Sequence, residues 1–199
     1  MIRLASFPKL DHLYRLTDSS GIRQRVRPSD PNAGYFVEQN AHALMVAVRA
    51  LRLTRETGLL DYVRHYMAFL EQAQRPDGSF RAYMSPDGRW QEAAASDEAQ
   101  GIAVWALGFA ARHSLQTEVR LRALRCLDVA LPRLGRLGGR DDGAMNGLGL
   151  RARAAALLGL RYWREAEPGT ALDGVAEELA ASLAAAYQAS SPAWPWFEP

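Results

Sequence analysis

The chain has 199 residues, which is enough for one domain with a buried core and little for two. Its 48% hydrophobic and 23% charged residues are ordinary for a globular protein and argue against disorder over most of the length. The net charge is +2, and almost all of the positive charge is carried by arginine. Only Arg23, Arg25 and Arg27 lie close together, so the basic face of a nucleic-acid-binding protein is missing.

Membrane, disulfide and metal chemistry are not indicated. No apolar run approaches the roughly 18 residues of a membrane span, and the N-terminus lacks an apolar run of signal-peptide length. We therefore expect a cytoplasmic protein. The single cysteine, Cys126, excludes an internal disulfide. The four histidines are scattered without metal-ligand spacing, so we expect no metal and no other cofactor.

Helical periodicity dominates after an N-terminal extended segment, which we predict over residues 1–35. The first helix should end near Gly58, which suits a left-handed cap, and the fourth should end at Pro132. A small β-ribbon is predicted where Pro76-Asp77-Gly78 and Pro86-Asp87-Gly88 form two similar turns. The six predicted helices cover residues 40–58, 60–75, 99–113, 117–131, 150–163 and 170–188.

These elements repeat with a period of roughly 50 to 60 residues, a size typical of helical arrays. Each unit is a helix, a short turn, a second helix and a long loop, and the units start near residues 40, 99 and 149. We therefore predict an all-α fold of three stacked αα-hairpins in a single helical domain over residues 1–199. An aromatic tail closes the chain.

Short turns force neighbouring helices to run antiparallel, so every long loop leads into the first, third or fifth helix at one end of the stack. We call this end the loop face. Aromatic rings stack on sugar rings, and carboxylates bind hydroxyl groups or act as acid and base. The loop face therefore predicts a carbohydrate site, with Glu38, Asp97 and Glu98 as catalytic candidates. The predicted substrate-binding residues are Tyr35, Asn40, Arg89, Trp90, Asp142, Trp194 and Trp196.

Five stretches together resemble bacterial, glycosyltransferase-associated proteins of the six-hairpin glycosidase superfamily. Residues 34–41 read GYFVEQNA where that family tends to read Gly-Tyr-x-x-Asp-Asp-Asn-Ala-Arg. The other stretches are HLYRLTDSSGIRQ at 12–24, PDGSF at 76–80 with Arg89-Trp90, SDEAQG at 96–101 with WALG at 105–108, and WPWFE at 194–198.

The resemblance implies a partial (α/α)₆ toroid whose sugar cleft lies at the loop face, with the chain similar to the N-terminal half. Glu38-Gln39 stands in place of the family's adjacent acid pair, and His42 in place of an arginine. Asp97-Glu98 inverts the usual order. Three hairpins do not close a six-hairpin ring, which leaves a fragment, a working half-ring or a homodimer as alternatives.

Each candidate residue also has a structural interpretation. Glu38 can be a first-turn acid favoured by the helix dipole, and Asp97 and Glu98 can be capping residues. Asp142 suits loop and N-cap chemistry, and Arg23 suits a solvated strand edge as well as a phosphate or an anionic sugar. Trp194 and Trp196 can pack on the last hairpin or form an interface.

Two functions follow from these observations. The first is a carbohydrate-active protein of glycoside hydrolase type that acts on or binds a bacterial oligosaccharide. The alternative is a non-catalytic helical module that binds a glycan or a glycosyltransferase partner.

Overall fold

The computed structural model describes residues 9–23, 34–91, 96–138 and 148–190. In these ranges the chain is mostly helical, with one small antiparallel ribbon, and the predicted fold of stacked αα-hairpins is confirmed. The elements are α1 (Asp11–Leu16), β1 (Tyr35–Phe36), α2 (Val37–Thr54), α3 (Leu59–Ala73), β2 (Tyr83–Met84), α4 (Asp97–His113), α5 (Thr117–Gly138), α6 (Leu150–Ala166) and α7 (Asp173–Ser190).

Three helical hairpins, α2/α3, α4/α5 and α6/α7, bury their apolar stripes in one continuous core. Among the largest fully buried side chains are Leu44, Tyr66, Leu107, Leu127 and Trp163. Cys126 also lies in this core at 6% exposed, and burial raises the pKa of its thiol to about 12. The hairpins therefore stack through hydrophobic burial, which is the main favourable contribution to folding.

Helices α2, α4 and α6 lie side by side and run in the same direction. Residues near the starts of α4 and α6 meet at Gly101 and Ala152, and residues a further two turns along meet at Gly108 and Gly159. The ring of His42 in α2 lies 6.2 Å from that of Trp105, and Arg52 at the end of α2 reaches the last residue of α4. All three helices therefore begin at the loop face, as the turn lengths predict.

The N-terminal segment is only partly extended, because it contains the short helix α1. Leu13 of α1 is 8% exposed, and the Tyr14 ring packs against Tyr62 of α3 at 5.0 Å. The hydroxyl groups of Thr17 and Tyr66 are hydrogen-bonded at 2.6 Å. The segment thus packs against the first hairpin, and one turn of helix allows its apolar side chains to share one face.

Two predicted helix ends are wrong for identifiable reasons. Arg55, not Gly58, takes the left-handed conformation after α2, with φ of 60°, and its backbone N–H bonds to the Leu51 carbonyl. Gly58 instead precedes α3 in right-handed conformation. Helix α5 continues past Pro132, although proline removes one hydrogen bond, because the next turn buries Leu134 completely.

The small ribbon pairs segments that the sequence analysis did not connect. Tyr83–Met84 lies antiparallel to Tyr35–Phe36, which directly precedes α2, with Tyr35 opposite Met84. The two Pro-Asp-Gly turns are closed by bridges between Gln74 and Phe80 and between Met84 and Trp90. This pairing fixes the second long loop against the start of α2.

None of the helices in the described ranges has the length and apolar character that crossing a bilayer requires.

Candidate functional site

The second residues of α2, α4 and α6 are Glu38, Glu98 and Arg151, and they lie at the loop face, where these helices begin. The Glu98 carboxylate lies 3.7 Å from the Arg151 guanidinium. The negative charge of Glu98 also acts on the pKa of the Glu38 carboxyl. Each side chain is held by the first turn of a helix packed against its neighbour, so the fold itself sets their arrangement. Two of the three predicted catalytic carboxylates are therefore brought near each other.

Glu38 and Glu98 occupy different environments. Glu38 is half-buried, and desolvation together with the negative charge of Glu98 raises the pKa of the Glu38 carboxyl. The Glu98 side chain is 52% exposed and paired with Arg151. Such a pair, with one half-buried carboxyl of raised pKa and one ion-paired carboxylate, has the asymmetry that acid–base catalysis uses.

We expect Glu98→Gln to lower the pKa of Glu38 toward its ordinary value, because the change removes a neighbouring negative charge. Burial of Glu38 remains, so the return should be partial. The titration of the Glu38 side-chain carboxyl carbon by NMR measures this shift. Glu177→Gln, an exposed carboxylate in α7, is the control and should leave the Glu38 titration unchanged. If the Glu38 titration were unchanged in Glu98→Gln, the charge of Glu98 would not act on the Glu38 carboxyl, and the two would not form a pair.

Asp97, the third predicted catalytic residue, faces the junction with α5 and α6. Burial raises the pKa of its carboxyl, while Arg133, Arg153 and a hydrogen bond from the Gly149 backbone N–H act in the opposite direction. Gly149 precedes the first residue of α6. Asp97 thus ties the residue before α6 to the start of α4, whereas the N-cap of α4 is Ser96, whose hydroxyl accepts a hydrogen bond from the Ala99 N–H.

Tyr35 and Asn40 are enclosed by the protein. Tyr35 is 1% exposed, and its hydroxyl donates to Asp18 at 2.8 Å and accepts a hydrogen bond from Arg23 Nε at 2.9 Å. Desolvation, and then the hydrogen bond to Asp18, raise the pKa of the Tyr35 hydroxyl, whereas the hydrogen bond from Arg23 acts in the opposite direction. Asn40 is 0% exposed, and its amide holds the backbone of Ile22 and Phe36. Neither side chain offers a free surface to a ligand in this structure.

Arg89 and Trp90 lie beside the end of α3 rather than beside the carboxylates. The Trp90 ring packs on Phe69 at 5.2 Å, and the Arg81 guanidinium lies 5.8 Å from its centroid. Arg89 is 87% exposed on its side chain and pairs with Asp87 at 3.3 Å. The predicted residues Asp142, Trp194 and Trp196 lie outside the described residues.

Sequence reasoning named Asn40 as a ligand contact but missed that a polar residue recurs at the fourth position of α2, α4 and α6. Asn40 holds the segment before α2, Gln100 bonds to the Phe80 N–H and the Gly78 carbonyl, and Arg153 Nε donates to the Leu148 carbonyl at 2.5 Å. Each side chain reaches back to the segment that it holds. Aligning the three helix starts would have shown this position, and it would also have shown Arg151 as the counterpart of Glu38 and Glu98.

The described residues contain no group of three histidine, cysteine, aspartate or glutamate side chains placed to hold a metal ion.

Comparison with solved structures places the fold of this chain in a known architecture. Cellobiose 2-epimerase from Spirochaeta thermophila DSM 6192 superposes with a TM-score of 0.71 at 17% sequence identity, over 96% of this chain and 55% of the epimerase chain. The fold is half of a six-hairpin (α/α)₆ toroid. The half-toroid also matches cellobiose 2-epimerase from Bacillus thermoamylovorans B4167 with a TM-score of 0.65 at 14% identity, over 83% of this chain and 50% of the other.

The same half-toroid matches a glycosyl hydrolase of family 88 from Bacteroides vulgatus with a TM-score of 0.62 at 11% identity. That match covers 88% of this chain and 53% of the hydrolase. No protein-family model matches the sequence, and comparison with curated proteins finds no similar sequence. The chain spans about half the length of the solved structures it matches, and at these identities the likeness concerns the fold.

Proposed function

We propose that the half-toroid is a carbohydrate-active protein of glycoside hydrolase type that acts on or binds a bacterial oligosaccharide at the loop face. The observation that carries the proposal is the pair Glu38 and Glu98 at the starts of two adjacent helices. A half-buried carboxyl with raised pKa suits proton donation to a glycosidic oxygen. An ion-paired carboxylate suits the role of base or nucleophile.

The solved structures that share the fold support the same class of ligand. They include cellobiose 2-epimerases, a family 88 glycosyl hydrolase and a D-mannose isomerase, whose names all refer to sugar chemistry. Because these reactions differ, the shared fold supports a carbohydrate ligand more directly than it supports hydrolysis. The paired carboxylates are the argument for hydrolysis.

The alternative is a non-catalytic helical module that binds a glycan or a glycosyltransferase partner. The Glu38-Gln39 pair favours this alternative, because an amide stands where the resembled family has the second of two adjacent acids. A homodimer of two such half-toroids would bring six hairpins together.

The proposal is tested by measuring turnover and binding of a panel of bacterial oligosaccharides. The proteins compared are wild type, Glu38→Gln and Glu98→Gln. For an enzyme, we expect each substitution to lower the rate of product formation by about 100-fold or more. Glu177→Gln is the matched control, because it removes an exposed carboxylate elsewhere and should retain full activity. Light scattering in parallel reports whether the active species is a monomer or a dimer.

Binding without any product would favour the non-catalytic module. If neither substitution changed binding or turnover, the assignment of Glu38 and Glu98 would be wrong. Absence of binding by any sugar would reject a carbohydrate function for the isolated chain.

A further inference from the structure

An apolar groove runs along α2 and is bordered by α1, α4 and α6. Its lower part, about 500 Å³, is lined by Val46, Leu53, Trp105, Phe109 and Tyr162, among others. Its upper part, about 470 Å³, lies between α1 and the first half of α2, and the two parts share Leu10 and Val46. Val46 is 44% and Leu53 is 53% exposed, so the groove presents large apolar side chains at its surface.

Among the residues that the structure describes, the charged side chains that line the apolar groove are basic. They are Lys9, Arg23 and Arg49, which line it together with His12 and His42, and no described aspartate or glutamate does so. The charge of Arg23 is neutralised by Asp18, whose Oδ2 lies 2.5 Å from the Arg23 Nε. Arg49 is exposed and has no carboxylate partner among the residues that the structure describes.

The lower end of the groove adjoins a positively charged cluster at the ends of α2 and α4. His113 packs against Phe109 at 4.5 Å and against Tyr162 at 5.1 Å, and its Nδ1 lies 2.9 Å from Arg52. Burial, and then the charges of Arg52, Arg112 and Arg49, lower the pKa of His113, against a weaker opposite effect of Glu165. Glu165 is itself paired with Arg112 and Arg161.

We propose that the apolar groove binds an anionic amphiphile, an unbranched hydrocarbon chain that ends in a phosphate or carboxylate. Arg49 and Arg52 bind the head group, and the hydrocarbon lies along Val46 and Trp105 toward Leu10. From Gln39 to Leu53, α2 offers a groove about 21 Å long at 1.5 Å per residue, which accommodates a twelve-carbon chain. The site uses neither Glu38 nor Glu98 and is independent of the proposed function.

Dodecyl phosphate below its micellar concentration is the probe, measured by calorimetry and by NMR of the histidine rings. We expect it to bind at least about tenfold more tightly than dodecyltrimethylammonium, which has the same tail and the opposite charge. Inorganic phosphate, the head alone, should bind far more weakly, because each buried methylene contributes about fourfold in affinity. Bound dodecyl phosphate should also raise the pKa of His113, because a nearby anion stabilises the imidazolium.

Matched variants locate the site. Val46→Asp should abolish binding, whereas Leu121→Asp, at a similarly exposed position of α5 (54%), should leave it unchanged. Arg49→Gln should weaken the binding of dodecyl phosphate but not the binding of dodecyltrimethylammonium. Its control is Arg125→Gln, at an exposed position of α5. Circular dichroism of each variant establishes that the fold is retained.

Equal binding of the two amphiphiles would overturn the proposal, since it would indicate apolar adsorption without head-group recognition. Equal losses in Val46→Asp and Leu121→Asp would also overturn it. A third contrary result is a dimer that does not bind the probe and that Val46→Asp dissociates. That result would show that a second copy of the chain covers the groove.

Discussion

Gly108→Ala is expected to lower the free energy of unfolding by about 3 kcal/mol, because α4 and α6 touch through their backbones at this point. A Cβ on Gly108 would lie 2.9 Å from the Gly159 Cα and closer still to the Gly159 carbonyl oxygen. Backbone atoms cannot rotate away as a side chain would, so the two helices must separate. Gaps then open along a contact that also includes Gly101 and Ala152.

Denaturant unfolding of Gly108→Ala against Gly174→Ala isolates this effect. Gly174 lies in the first turn of α7 with no atom within 4 Å of an added Cβ, so alanine there should be neutral or stabilising by up to about 1 kcal/mol. Helix propensity alone favours alanine at both positions. An equal or higher stability of Gly108→Ala would therefore contradict the close contact of α4 and α6.

Asn40→Ala is expected to cost about 3 kcal/mol, since one buried amide holds three backbone groups. Asn40 accepts a hydrogen bond from the Ile22 N–H at 2.9 Å and donates to the carbonyls of Phe36 and Ile22 at 2.9 and 3.3 Å. Alanine leaves these groups without that partner at a position that is 0% exposed. For a chain of this size the loss corresponds to roughly 6–12 °C in Tm.

Gln72→Ala is the control for Asn40→Ala, because it removes an exposed amide from α3 and should change Tm by little. Gln100→Ala provides an independent repetition, since Gln100 is 1% exposed and holds Phe80 and Gly78 in the same manner. Thermal unfolding followed by circular dichroism measures all three. Asn40→Ala and Gln72→Ala with the same Tm would refute the anchoring role of Asn40.

The repeated pattern of helix, short turn, helix and long loop was sufficient to predict the hairpins and the loop face. Helical periodicity and turn chemistry are local properties, so one sequence can report them. Helix ends were harder, because residues that usually stop a helix do not stop these two helices. Arg55 ends α2, and α5 continues beyond Pro132 to bury Leu134.

The candidate site was predictable in part. Glu38 and Glu98 followed from the loop-face argument, and their approach follows from the parallel packing of α2 and α4. Burial of Tyr35 was not predictable, because its hydroxyl partners Asp18 and Arg23 belong to a segment that folds back over the first hairpin. The pairing of Glu98 with Arg151 joins residues more than fifty positions apart.

The sequence by itself determined the helical class, the hairpin repeat and the end of the stack at which α2, α4 and α6 begin. These features depend on side-chain periodicity and turn residues within a few positions of each other. Only the tertiary structure decided which carboxylates meet, which aromatic residues are enclosed and where an apolar groove remains open. Those outcomes depend on how close the helices lie, and at Gly101, Gly108 and Gly159 the absence of a side chain sets that distance.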